Sequence, residues 1–250
     1  MMFELLEDSS GILLLIVLTA FFASVIHGTV GLAGGLIMAA VISHFIGIKA
    51  AVPVVTCALI FSHFSRGFML KKDIDWWAVR HVLLFGTPTI VLGSVVFGYL
   101  SHQAISIIFG SVLLLSLPIK YWARRHSIRT GPKLLALASS IWGMLAGNVI
   151  GPGFFLSPFL LGTGMNRLTF VGTLAIITLA MNLIKISVFG VTDLVTADLL
   201  LLGVVAGIAT IPGNMVGQMI LRKMTDGIHG KAVDIMTLAL VANFFYLAFI

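Results

Sequence analysis

Two glycine-rich interruptions are the stretches of this sequence best suited to chemistry. HGTVGLAGG begins at His27 and GNVIGPG at Gly147, each inside a long apolar run. Glycine and proline at that density break helices. A helix that restarts inside such a run presents unpaired N–H groups and the positive end of its dipole, and together these bind an anion without a full positive charge. Thr29, Gly31, Gly34 and Gly35 in the first break, with Asn148, Gly151 and Gly153 in the second, are candidates for two facing anion cradles. Glycine lets the backbone approach the ligand, and Thr29 and Asn148 add side-chain hydrogen bonds. One such break alone reads better as close helix packing, because small residues at GxxxG-like spacing join membrane helices. Two breaks at matching places favour a ligand site.

The second candidate group lies downstream of each break. Ser62, His63 and Arg66 occur in IFSHFSRGF, and Met181, Asn182 and Lys185 in LAMNLIKIS. His63 can exchange a proton near neutral pH or bond to a neighbouring helix. Lys185 lies about one turn from the end of its apolar run, so it either serves the site or snorkels to the interface. Arg66 has the same two options. His27 either contacts substrate or caps its helix, and Asp234 is either a coupling-ion ligand or solvated. Cys57, the single cysteine, excludes an internal disulfide and a CxxC pair and reads as a packing residue. GxSxG, HExxH and Walker patterns are all absent from the sequence, which argues against an enzyme and against direct ATP drive. No cofactor and no metal are expected.

These residues must be positioned by membrane helices. Of the 250 residues, 59% are hydrophobic and 10% charged, against about half and a quarter in soluble domains. A folded surface this apolar is tolerated only in lipid. The net charge of +6 is better explained by topology signals than by nucleic-acid binding. Glu4, Glu7 and Asp8 stand where a secretory signal would be basic, so no cleaved signal is expected. Six apolar runs suit one crossing each: 51–70, 79–100, 104–119, 169–190, 199–221 and 233–250. The two broken runs, 11–45 and 134–162, are expected to fold back as hairpins of shortened helices. The fold class is therefore an all-α polytopic membrane protein with about eight to ten helical segments.

Thirteen of the fifteen basic residues fall on four loops, and the longest of these carries Lys120, Arg124, Arg125, Arg129 and Lys133 with no acid. The positive-inside rule places that loop in the cytoplasm. All four loops fit one face if each broken run begins and ends on the same side. An odd number of crossings then separates the two hairpins, so the halves are inverted. A shift of 119 residues superposes Gly28 on Gly147, Val30 on Val149, Gly34 on Gly153, Arg66 on Lys185 and His63 on Asn182; a shift of 124 superposes Pro88 on Pro212 and Gly93 on Gly217. Inverted repeats with broken helices are the construction of secondary transporters, whose substrate sits near the midplane between repeats. The first repeat is read as residues 1–122, a basic linker as 123–132 and the second repeat as 133–250.

HGTVGLAGGLIMAAVIS and WGMLAGNVIGPGFFLSPFLLGTGMNRLTFVGTLAIITLAMNLIK resemble the two repeated blocks of the TauE/SafE family of sulfite exporters and related anion permeases. Gly34 and Gly35 match the first family glycine motif, and Gly147, Gly151 and Gly153 the second. The second block departs by carrying Pro152 and Phe154 where a run of glycines is expected. The resemblance implies export of sulfite or an organosulfonate such as sulfoacetate across the bacterial inner membrane. The expected mechanism is alternating access, with proton coupling through His63 left open. The candidate substrate site is Thr29, Gly31, Gly34, Gly35, His63, Arg66, Asn148, Gly151, Gly153, Asn182 and Lys185. The expected partners are a small anion and the bilayer, with no nucleic acid and a homodimer left open. Both termini are expected in the periplasm. A channel-like pore for small anions and a non-transporting scaffold subunit are the alternatives.

Overall fold

The computed structural model describes residues 10–30, 34–125, 129–223 and 226–249. The described residues form ten helices and no strand. In chain order these are α1 (Ser10–Val30), α2 (Gly34–Ile46), α3 (Ile48–Met69), α4 (Trp76–Tyr99), α5 (His102–Arg125), α6 (Pro132–Asn148), α7 (Gly153–Leu161), α8 (Arg167–Val191), α9 (Ala197–Lys223) and α10 (Asp226–Leu247). Gly31 lies outside the described residues. Both broken runs are helical hairpins. The second helix of each is short: α2 has 13 residues and α7 has 9, a length of roughly 14 Å at 1.5 Å per residue, half the hydrocarbon core. Among the six runs expected to cross, α3, α4, α5, α8 and α9 are long and apolar enough to do so, and the described apolar part of α10, Asp234–Leu247, is shorter.

Helix starts differ in how they are capped. Four helices that begin at an end of the bundle have a polar side chain accepting from the first turn, Asp75 from the Ala78 amide at 3.0 Å, Ser101 from Ala104 at 3.1 Å, Asn166 from Thr169 at 2.9 Å and Thr196 from Leu199 at 3.3 Å, whereas α3 and α6 start behind Gly47 and Gly131 without one. The helices restarting after the breaks lack such a cap. α7 follows Pro152 with no side-chain cap, and the first amide of α2 is met by a histidine of α1 instead.

The halves pack by exchange. α4 of the first half lies along α6 of the second, and α9 of the second along α1 of the first. The two crossings share one register. A Cβ on Gly217 would lie 2.3 Å from the Val25 carbonyl oxygen and 2.8 Å from Gly28 Cα; a Cβ on Gly93 would lie 2.4 Å from the Met144 oxygen and 3.2 Å from Gly147 Cα. Gly217 and Gly93 are related by the 124-residue shift, and Val25 and Gly28 are related to Met144 and Gly147 by the 119-residue shift. The repeat read from the sequence is thus a repeat of contacts. Its two halves are inverted, because counterpart helices run antiparallel: the end of α3 meets the start of α8 at Gly67 and Ile176 and at Leu70 and Gly172, and α5 meets α10 through Gly110 with Phe245 and Tyr121 with Asp234.

One end of the bundle gathers the basic loops. The Thr130 amide donates to the Gly162 carbonyl at 2.9 Å, His81 Nε2 donates to the Pro132 carbonyl at 2.8 Å, and the Asp75 amide donates to Thr173 Oγ1 at 2.9 Å. Lys71, Lys72, Arg80, Arg125, Arg129 and Lys133 are exposed there. Trp76, Trp77, Tyr121 and Trp122, all about half exposed, ring the same end as an interfacial aromatic belt does.

Candidate functional site

A small cavity lies between the two breaks. Its walls come from α1 (His27), α2 (Gly35), α3 (Leu59 and His63), the second break (Gly151, Pro152 and Gly153) and α8 (Leu174, Thr178 and Met181). Its volume, about 20 Å³, has room for about one water molecule. Leu59 and Thr178 are counterparts under the 119-residue shift, so the cavity straddles the relation between the repeats. Gly151 has φ of +77°, a left-handed conformation that glycine adopts freely, and this turns the chain from α6 into α7. α7 therefore starts at the cavity wall with its positive dipole end inward.

His27 organises the first break. Its Nδ1 accepts from the Gly34 amide at 3.2 Å, which leaves the ring proton on Nε2; Nε2 lies against Arg66 Nη1, and the ring stands edge-on to His63 with centroids 5.1 Å apart. The Gly34 amide, expected to be open to a ligand, is thus held by a side chain. The second break is organised by Lys185. Its Nζ donates to the carbonyls of Ala146 and Val149, both at 3.1 Å, and lies 5.8 Å and 5.5 Å from the Phe97 and Phe189 ring centroids. Lys185 is 1% exposed, so it does not snorkel. A cation on the last carbonyls of α6 compensates the negative end of that helix. Ala146 is the counterpart of His27, and Lys185 of Arg66. In each repeat a buried cation from the third helix therefore reaches the end of the first.

The polar residues of the breaks face the helices instead of the cavity. Thr29 Oγ1 donates to the Val25 carbonyl at 2.7 Å and to the Gly217 carbonyl at 3.2 Å. Its counterpart Asn148 donates from Nδ2 to the Met144 carbonyl at 2.9 Å, the equivalent bond four residues back. Both brace the close crossings. His63 and Asn182, also counterparts, behave differently: each is buried, and His63 Nδ1 and Asn182 Nδ2 have no hydrogen-bond partner. His63 lines the cavity, and Asn182 follows Met181 on α8, one turn beyond Thr178.

Of the expected site residues, the structure gathers Gly35, His63, Gly151 and Gly153 on the cavity wall, and Gly34 and Asn182 are chain neighbours of the wall residues Gly35 and Met181. Arg66 and Lys185 stand behind it as supports, and Thr29 and Asn148 belong to the crossings. His27 is the main residue the sequence-level site omits, with Leu59, Pro152, Leu174, Thr178 and Met181. The stripe 174, 178, 181, 182, 185 on α8 has helical spacing and was available as a signal. Among the described residues no group of three or more His, Cys, Asp or Glu is gathered to hold a metal ion.

A family model described as Sulfite exporter TauE/SafE matches residues 16–244. The chain belongs to the TauE/SafE family. Neither a curated protein nor a solved structure matches it. As a TauE/SafE protein it is a multi-pass membrane transporter of the sulfite and anion exporter type, in keeping with its apolar helices.

Proposed function

We propose that this protein exports a small sulfur-containing anion, sulfite or an organosulfonate such as sulfoacetate, by alternating access between its two repeats. The observation that carries this reading is a pair of symmetry-related, buried and unpartnered nitrogens: His63 Nδ1, of a residue on the cavity wall, and Asn182 Nδ2, of the residue that follows the wall residue Met181. A buried polar group without a partner is costly in a membrane interior, and an oxyanion accepting from both relieves that cost. The local electrostatics favour an anion. Arg66 and Lys185 are buried, whereas every described Asp and Glu whose side chain is placed is at least partly exposed. The N-terminus of α7 adds positive potential without another charged residue.

A cavity of about 20 Å³ is too small for a four-atom oxyanion with any water, so loading requires one repeat to move against the other. With the basic end in the cytoplasm of an inner membrane, export of a monoanion gains about 2.3 kcal/mol per 100 mV of negative-inside potential. Uniport is then sufficient. Proton coupling is a separate step, and unchanged pH dependence of flux in His63→Gln liposomes removes it.

The test is a ligand-dependent melting series on detergent-purified protein with sulfite, sulfate, sulfoacetate, sulfolactate and short carboxylates, paired with flux in proteoliposomes. Sulfite or a sulfonate raises the melting temperature above the carboxylates, and Gly34→Leu abolishes flux. The reading fails if no anion stabilises the protein and Gly34→Leu transports normally.

A further inference from the structure

A second polar cluster lies outside the cavity, between α3 and α9. Asn214 Nδ2 donates to the Ser62 carbonyl at 3.0 Å, to Ser62 Oγ at 2.9 Å and to Ser65 Oγ at 3.1 Å. Asn214 is 0% exposed, yet its Oδ1 has no partner; one turn further along α9, Gln218 is 6% exposed and its Nε2 has none. Two unpartnered groups one turn apart on one helix face, inside a membrane protein, indicate a place where water or a polar solute supplies the missing bonds.

The inverted repeat supplies an internal comparison. Under the two register shifts, Ser62 and Ser65 correspond to Met181 and Ile184, and Asn214 and Gln218 to Ile90 and Ser94. Three of these four counterparts are apolar, and the fourth, Ser94, satisfies its hydroxyl on the Ile90 carbonyl at 2.8 Å. The two-fold relation that preserves the crossings, the cation supports and the spare nitrogens is broken here. Because the repeats are inverted, the polar member lies toward the basic-loop end and the apolar member toward the other end. Ser62 adjoins His63 on the cavity wall, Ser65 is partly exposed, and Arg66 follows one turn after Ser62 on the same face.

We infer that Ser62, Ser65, Asn214 and Gln218 line a hydrated access route by which a small anion passes between the cavity and the basic-loop end, and that Ile90 and Ile184 belong to its dry counterpart, which seals the opposite end in the described conformation. This rests on the proposed transport reading for its cargo. Its geometry concerns water and anion access and is testable without measuring transport. The positive charge of Arg66 beside the route favours anionic over cationic solutes.

The test uses single cysteines in a Cys57→Ala background, reconstituted in sealed liposomes. Ser62→Cys, Ser65→Cys and Gln218→Cys report on the route, and Ile90→Cys and Ile184→Cys on the dry side. Lys72→Cys and Thr192→Cys, both exposed, mark the two ends. Each is treated from outside with the membrane-impermeant anionic reagent 2-sulfonatoethyl methanethiosulfonate and with its trimethylammonium analogue. Three positions on two helices are read so that one misfolded variant does not decide the result. The route cysteines react from the same side as Lys72→Cys, about tenfold or more faster than the dry pair, since only a hydrated thiol ionises and reacts. They also favour the anionic reagent. Silence at all three route positions overturns the proposal, as does equal reactivity of the dry pair, or reaction only from the Thr192→Cys side. If the route labels as expected while no anion is transported, the access route stands and the transport reading falls.

Discussion

Lys185 and Arg66 stand 119 residues apart and reach corresponding places in opposite repeats: Lys185 donates to the Ala146 and Val149 carbonyls at the end of α6, and Arg66 Nη1 lies against the His27 ring at the end of α1. A helix that ends inside a bilayer has no water to satisfy its last carbonyls, so the protein must supply the donor, and at the end of α6 Lys185 supplies it.

Lys185→Met strands two buried carbonyls and removes a charge from beside the site. The expected result is a loss of anion flux of about tenfold or more, with a stability change within about 2 kcal/mol because the cost of burying the ammonium is also removed. Lys185→Arg keeps the charge and retains part of the flux. Proteoliposome flux and thermal melting are the readouts, and wild-type flux in Lys185→Met places the charge outside the path.

Gly217→Ala and Gly93→Ala each put a Cβ less than 2.5 Å from a facing carbonyl oxygen, so α9 must part from α1, or α4 from α6. Each is expected to destabilise the fold by about 2 kcal/mol or more. Gly190→Ala is the control, since a Cβ there meets nothing within 4 Å, and it is expected to be neutral or to stabilise by about 0.5–1 kcal/mol. Equal melting temperatures for all three variants contradict the close crossings.

His27→Leu leaves the Gly34 amide without its acceptor and removes the ring that Arg66 packs against. A stranded buried donor costs about 1–3 kcal/mol, so a lower melting temperature is expected, with partial recovery in His27→Gln. A melting temperature unchanged by His27→Leu removes the brace from the account of the first break.

Asn182→Leu separates stability from function. Replacing an unpartnered buried amide with an apolar side chain of similar size removes a polar penalty, so melting without ligand is unchanged or raised. The anion-induced shift in melting temperature is expected to disappear. A ligand shift equal to that of the wild type overturns the assignment of Asn182 to the site.

Much of the architecture is legible before any coordinates. Glycine and proline density between 27 and 35 and between 147 and 153 marks both hairpins, because backbone breaks are local events. The register shifts align Gly28 with Gly147 and Gly93 with Gly217, and the structure turns both alignments into contacts of the same kind. The site is only half legible. His27 reads from the sequence as a cap or a substrate contact, and the structure sets its Nδ1 on the Gly34 amide and its Nε2 against Arg66, within the first repeat. Thr29 and Asn148 have the chemistry of ligand groups but spend it on the preceding turn of their own helices.

By itself, then, the sequence determined the solvent, the two breaks, the inverted repeat and the basic end, because hydropathy, glycine content and charge act over a few turns or simply add along the chain. Only the tertiary structure decided which polar atoms are spent and which are spare. Lys185 is committed to carbonyls 36 and 39 positions away, and Asn214 to serines about 150 positions away. His63 Nδ1, on the cavity wall, and Asn182 Nδ2, next along α8 from the wall residue Met181, are left over. A hydrogen bond requires a donor and an acceptor within about 3 Å of each other, and separation along the chain does not report that distance.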